Sequence, residues 1–177
     1  MKTVLKNLVI VALATLLFSS CDDFGKSKLK FDTSFDVNLP VVVTPGKSSF
    51  SVVDTIDILA HPDLIDYTDQ ITGIDIQSVT FEVIALNPAP ITLTDAYLNA
   101  SVPTLPAATW TFTNQMLNLG TIITLDNSNN QLTNAQNVFL AQQPIAVNLN
   151  GNISETAATF TIKVTFNAEV EVTVGIF

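Results

Sequence analysis

The chain contains no arginine, and its seven lysines face sixteen carboxylates, giving a formal net charge of −9 over 177 residues. Without guanidinium groups it lacks the planar fork that grips phosphates and carboxylates with paired hydrogen bonds. The negative balance also opposes polyanions, so nucleic acid is not expected as a partner. Lys2 and Lys6 precede residue 20 whereas every Asp and Glu follows it, so the remainder is more acidic than the whole. Such a charge favours solubility, resists docking on anionic lipid and makes cations the natural counterpart.

Histidine, cysteine and glycine are equally sparse. The single cysteine, Cys21, rules out an intramolecular disulfide, so the fold must rest on its core. His61 is the one histidine, too few for a zinc centre of three or four ligands. With no second histidine and no other thiol, a nucleophile has no partner base, and His61, lying just before Pro62, reads as a surface or capping residue. The six glycines are scattered singly, which leaves no phosphate-cradling loop. No cofactor is expected.

What is present begins with an address. Lys2 and Lys6 precede an apolar run from Leu8 to Phe18, which is too short to span a bilayer. The run ends in Leu17-Phe18-Ser19-Ser20-Cys21 rather than in an Ala-x-Ala pattern, and this ending resembles the lipobox of bacterial lipoproteins. The resemblance implies that residues 1–20 are a signal peptide and that Cys21 is lipidated as the first mature residue. Residues 21–28 would then form the anchor and a Lys- and Ser-rich tether to a domain over residues 29–177. The alternative, an inert buried cysteine behind an ordinary signal, fits poorly beside Asp22 and Asp23. That acidic pair resembles the export signal of Bacteroidota surface lipoproteins, whereas in enterobacterial lipoproteins an Asp there resembles an inner-membrane retention signal. The membrane and its face therefore depend on the organism.

Beyond Lys28 the pattern is strand-like. Leu29, Phe31, Thr33, Phe35, Val37, Leu39 and Val41 alternate with polar residues, predicting a strand with one buried face and Pro40 near its end or on an edge. Thr44-Pro45-Gly46-Lys47 predicts a turn, followed by a strand over Ser49–Leu59. Pro62 and the neighbouring acidic residues predict a short helix from His61 to Ile71, closed by Gly73. A phase change between Ile74/Ile76 and Val79/Phe81/Val83 predicts a strand with a bulge near Gln77-Ser78. Further strands are expected over Ile91–Val102, Thr109–Thr113 and Leu117–Leu125. Leu132, Ala135, Val138 and Phe139 recur at helical spacing. Ile145–Leu149 precedes a turn at Asn150-Gly151, and a long final strand from Ala157 is expected to bend or change sheets near Asn167-Ala168. The class is all-β, an immunoglobulin-like β-sandwich of seven or eight strands with one or two short helices, lacking the Cys…Trp…Cys hallmark. Leu86-Asn87-Pro88 and Ile91-Thr92-Leu93 also resemble the Asn-Pro region of water-stress β-sandwich domains related to late-embryogenesis proteins, which implies a sandwich and no activity.

Several residues are candidates for a site. Asp63, Asp66 and Asp69 fall in the densest acidic stretch and supply the oxygen ligands that calcium prefers, although at helical spacing they form a solvated face. Asp126-Asn127-Ser128-Asn129-Asn130 resembles the opening of a calcium loop but has Gln131 and Asn137 where Gly and Glu belong, so it reads as an Asn-rich turn. Trp110 and Phe112 share a strand phase and would stack on a sugar if exposed, or form core if buried. Glu169 and Glu171 share an outer face, as a glycosidase pair or as solvated partners of lysine. The expected role is a lipid-anchored, non-catalytic adhesion, assembly or accessory module of the cell envelope, on the outer membrane or cell surface, with an envelope protein or glycan as partner. A glycan- or Ca²⁺-binding module and a carboxylate glycosidase are the alternatives.

Overall fold

A computed structural model describes residues 26–175; Cys21, Asp22 and Asp23 lie outside the described residues. The strands are β1 (Lys26–Val43), β2 (Ser49–Ile56), β3 (Ile71–Asn87), β4 (Ile91–Ser101), β5 (Ala108–Leu117), β6 (Ile122–Leu125), β7 (Ile145–Ile153) and β8 (Ala158–Gly175). One helix, α1 (Gln131–Leu140), separates β6 from β7. The strands form two four-stranded antiparallel sheets in the orders β1-β8-β3-β6 and β2-β7-β4-β5.

The eight-stranded sandwich predicted by the alternation is present. Its chain passes from one sheet to the other between β1, β2, β3 and β4 in turn, which is the double Greek key of a jelly roll. An immunoglobulin domain keeps its first two strands in one sheet. Alternation sets the strand count and the buried faces, while partner choice is decided by contacts distant in sequence.

β8 lies between β1 and β3, and its residues Phe160, Ile162, Val164, Phe166, Ala168, Val170 and Val172 are all buried. It pairs with β1 along the full length of both strands, from Lys26 with Gly175 to Val43 with Ala158. β8 therefore stays in one sheet and shows no register break against β1 at Asn167-Ala168. The irregularity falls on β3, whose register against β8 shifts at three places, one of them between Ile76 and Ser78 as the phase change predicts. Each extra residue lets β3 return its apolar side chains to the core. Pro40 sits in β1, an edge strand, where its missing N–H breaks no ladder.

Five local expectations are corrected. Residues 57–70 form successive turns rather than a helix: Leu64 N–H bonds to His61 O, Tyr67 to Leu64 O and Gln70 to Tyr67 O, each three residues back. Asp residues stabilise turns better than helix interiors, and burial of Ile58 and Leu64 pins the segment without an amphipathic stripe. Gly73, expected as a helix cap, is a β3 residue opposite Glu171. The expected strand Leu117–Leu125 is divided by a turn in which Thr121 N–H bonds to Asn118 O, with Gly120 at φ 79°. Asn150-Gly151 is not a turn but part of β7, where the backbone passes so close to β4 that a Cβ on Gly151 would lie 2.4 Å from Ala96 Cβ. The predicted turn at Thr44–Lys47 is present, with Lys47 N–H bonded to Thr44 O and Gly46 at φ 82°. Strand β1 also begins three residues earlier than expected, so Lys26, Ser27 and Lys28 belong to the sheet rather than to a tether.

The segment 57–70 and α1 close one end of the sandwich. Phe35 and Phe166 are direct partners across β1 and β8, and the Phe139 ring of α1 lies 5.0 Å from each. Ala135, Val138 and Phe139 are buried, as the helical spacing predicts. Thr33 is the one buried polar residue among the described core, and its hydroxyl donates to Asp63 Oδ2 at 2.7 Å. The opposite end carries the turns at residues 44–48, 88–90, 118–121 and 154–157.

Two stability effects follow, both readable from denaturant midpoints at constant slope. Phe139→Ala is expected to lower stability by about 3–5 kcal/mol, the usual cost of emptying a Phe-sized core site. Gly151→Ala is expected to lose about 1–3 kcal/mol by overpacking; an unchanged midpoint for Gly151→Ala would show that β4 and β7 are not held this close.

Candidate functional site

The chemistry-bearing side chains are largely occupied in holding the fold. His61 packs its ring 4.8 Å from that of Phe35. Its Nε2 lies 3.1 Å from the Ser34 carbonyl oxygen and its Nδ1 3.3 Å from the Asp63 N–H. A carbonyl only accepts and an amide only donates, so Nε2 is the ring nitrogen suited to donate to Ser34 and Nδ1 the one suited to accept from Asp63. His61 is thus a structural clasp between β1 and the turn segment, in keeping with a capping role.

Asp63, Asp66 and Asp69 sit in successive turns instead of along one helical face. Asp63 accepts from Thr33, and no group of three or more metal-ligating side chains occurs among the described residues. The Asp126 loop is organised by itself: Asp126 Oδ1 accepts from the Ser128 N–H and hydroxyl at 3.2 and 2.7 Å, and Asn127 Oδ1 accepts from Leu132 N–H at 2.9 Å. Asn129 and Asn130 take left-handed φ values of 54° and 61°, which asparagine tolerates. This is the Asn-rich turn that leads into α1.

Trp110 is 4 % exposed, and its indole N–H donates to the Asp126 carbonyl at 2.8 Å. Phe112 is buried against Phe81 at 4.9 Å. Both belong to the core, so the Trp110 ring does not present a face to a sugar. A cleft of about 430 Å³ opens beside it between the edge strands β5 and β6, walled by Thr111, Thr113, Ile123 and Thr124. Its one carboxylate is that of Asp126, already engaged by Ser128. Asp32 and Asp63 border shallow hollows of about 400 and 380 Å³.

Glu169 and Glu171 lie on the outer face of the β1-β8-β3-β6 sheet, paired with lysines of β1: Lys30 Nζ is 2.6 Å from Glu169 and Lys28 Nζ 2.9 Å from Glu171. The hydrogen bond from Lys28 holds the Glu171 carboxyl below the usual carboxylate range, and that to Glu169 raises Lys30. Both carboxylates are engaged on an open sheet face, an arrangement unlike two groups flanking a scissile bond. A further pair joins Asp36 to Lys163 at 2.9 Å, with Thr165 donating to Asp36 at 2.6 Å. Partial burial works against the Asp36 charge, but the hydrogen bonds from Lys163 and Thr165 outweigh it and leave the carboxyl below its ordinary value.

The second outer face, on the β2-β7-β4-β5 sheet, has a different chemistry that no single sequence segment displays. Cross-strand registers align Ser51, Asn150, Tyr97 and Thr111 in one row. The next row aligns Val53, Asn148, Asn99 and Thr109. Tyr97 is 46 % and Val53 59 % exposed. Ser51 donates to Asn150, and Asn99 donates to the Thr109 hydroxyl at 3.0 Å. Apart from the Tyr97 phenol these two rows contain no ionisable group; the exposed Asp95 stands in the neighbouring row, between Asn152 and Thr113.

A carboxyl held low contributes stability that is present above its unfolded value and is lost as pH falls through the folded one. Thermal melts should therefore show stability dropping on acidification through and below the usual carboxylate range. In Asp36→Asn the drop between neutral and acidic pH should be smaller, and an identical drop would remove the Asp36–Lys163 pair from the account.

No protein-family model matches the chain, and no curated protein does. Among solved structures it is similar to a chain of Turnip yellow mosaic virus, with 12% identity over 82% of this chain and 96% of that one and a TM-score of 0.37. A chain of Mud crab tombus-like virus matches at 8% identity over 85% and 82%, with a TM-score of 0.40. One from a virus-like particle of the giant freshwater prawn Macrobrachium rosenbergii nodavirus matches at 8% identity over 89% and 100%, again at 0.40.

Proposed function

We propose that the chain is a lipid-anchored, non-catalytic module of a bacterial cell envelope that acts through its surface, as an adhesion, assembly or accessory component. The observation that carries this reading is Cys21: the one thiol ends an apolar run in a lipobox-like sequence and lies five positions before Lys26, the first residue of β1. Support for a non-catalytic role comes from the commitment of His61, Glu169, Glu171 and Asp126 to ion pairs and local hydrogen bonds.

In this arrangement several acyl chains, each contributing about 0.8 kcal/mol per buried methylene, hold the protein stably on a membrane. Such a short link from Cys21 to β1 keeps the end formed by Lys26, Gly175, residues 57–70 and α1 near the bilayer. The four turns at the opposite end and both outer sheet faces are then left for partners. No described helix is long and apolar enough to cross a membrane.

Cys21→Ser tests the anchor. In cells expressing the full chain, the variant is expected to leave the membrane fraction and to lose incorporation of labelled fatty acid. Membrane association equal to that of the unaltered chain would overturn the anchor.

A further inference from the structure

We propose that the outer face of the β2-β7-β4-β5 sheet binds a neutral polysaccharide. This inference deepens the reading of a non-catalytic domain that acts through its surface, and transfers glycan recognition from the buried Trp110 to the exposed Tyr97.

Charge is the first argument. The chain is strongly acidic, and the opposite sheet carries Lys28, Lys30, Lys163, Asp36, Glu169 and Glu171 on its outer face. The two central rows of the β2-β7-β4-β5 face have no fixed charge. A neutral, hydroxyl-rich chain meets no electrostatic penalty there, whereas an anionic glycan would be opposed by the field of the whole domain.

The chemistry of the rows is the second argument. Asn148, Asn150 and Asn99 bring amides that both donate and accept, and Ser51, Thr109 and Thr111 bring hydroxyls that do the same. Sugar hydroxyls need such two-way partners. Tyr97 stands at the centre of this array with its ring half exposed, giving the apolar C–H face of a sugar a surface to stack on and a phenol at its rim.

Shape is the third. Four strands about 4.8 Å apart present their polar groups as an open ladder across the sheet, suited to an extended polymer lying across the strands and not to a single enclosed sugar. Successive sugars add contacts without repeating the entropic cost of capture, so affinity should rise with chain length and a monosaccharide should compete poorly.

The test is affinity electrophoresis of the detergent-solubilised full chain through gels containing laminarin, glucomannan, xyloglucan or, as acidic counterparts, alginate and polygalacturonate. Retardation is expected with at least one neutral polymer, little changed by salt, and absent with the acidic ones. Tyr97→Ala should weaken it about tenfold, and Tyr97→Phe less. Thr111→Asp, at an exposed edge position, should also weaken it, which covers the case in which Tyr97→Ala is poorly folded. Asn38→Asp on the opposite sheet should leave it unchanged. Absence of retardation by every neutral polymer, insensitivity to both Tyr97→Ala and Thr111→Asp, or stronger retardation by the acidic polymers would overturn the inference. Because the measurement is made off the membrane, it is separable from the anchor: a Cys21→Ser chain that stays in the membrane fraction and still binds glycan refutes only the anchor, and an anchored chain that binds none refutes only this face.

Discussion

The pairing of β1 with β8 is the constraint on which the rest of the structure depends. It joins the two ends of the described chain along the full length of both strands, so it closes a loop that contains every other element. Closing so long a loop is entropically costly, and the compensation must come from the face the ladder buries. Phe35 and Phe166 meet directly across it, and Phe139 of α1 rests on both. A slip of one residue would turn Phe35 outward and dismantle that contact. The helix that closes the end of the sandwich therefore also fixes the register of its longest ladder.

The same ladder explains why strands were easier to read than connections. Along β1 and β8 every second residue is apolar because one face is core, and that demand is imposed uniformly over the strand. Of the three register shifts of β3, the one between Ile76 and Ser78 is legible for the same reason, since a bulge moves the apolar set from one parity to the other. Residues 57–70 carry helix-like signals, namely Pro62 and acidic residues in the first turn, but lack the repeated apolar stripe that would bind a helix to the core. Two buried anchors, Ile58 and Leu64, suffice to hold a series of turns there. Gly151 misleads in the opposite direction: Asn-Gly usually signals a hairpin, but here glycine is required by Ala96 on a neighbouring strand, a contact no local window contains.

Site residues divide along the same line. The outward face of Glu169 and Glu171 is legible from period two, and so is their suitability as partners of lysine; which lysines pair with them is not, because the short contacts run diagonally across β1 and β8, from Lys30 to Glu169 and from Lys28 to Glu171. Trp110 and Phe112 show their common phase in the sequence but not which side that phase faces. The row Ser51, Asn150, Tyr97, Thr111 is illegible in sequence, because its members come from four strands whose spatial order is not their order in the chain.

Gathering the lysine–carboxylate pairs on the outer face of one sheet has a consequence for how the two faces respond to their surroundings. Acid protonates the carboxylates opposite Lys28, Lys30 and Lys163, and salt screens them; both act on the β1-β8-β3-β6 sheet. The amides and hydroxyls of the other outer face neither titrate in that range nor depend on counterions. Placing the ion pairs on the ladder that sets the fold, and uncharged rows on the other outer face, lets the electrostatic part of stability vary with pH and salt while the chemistry of those rows stays the same.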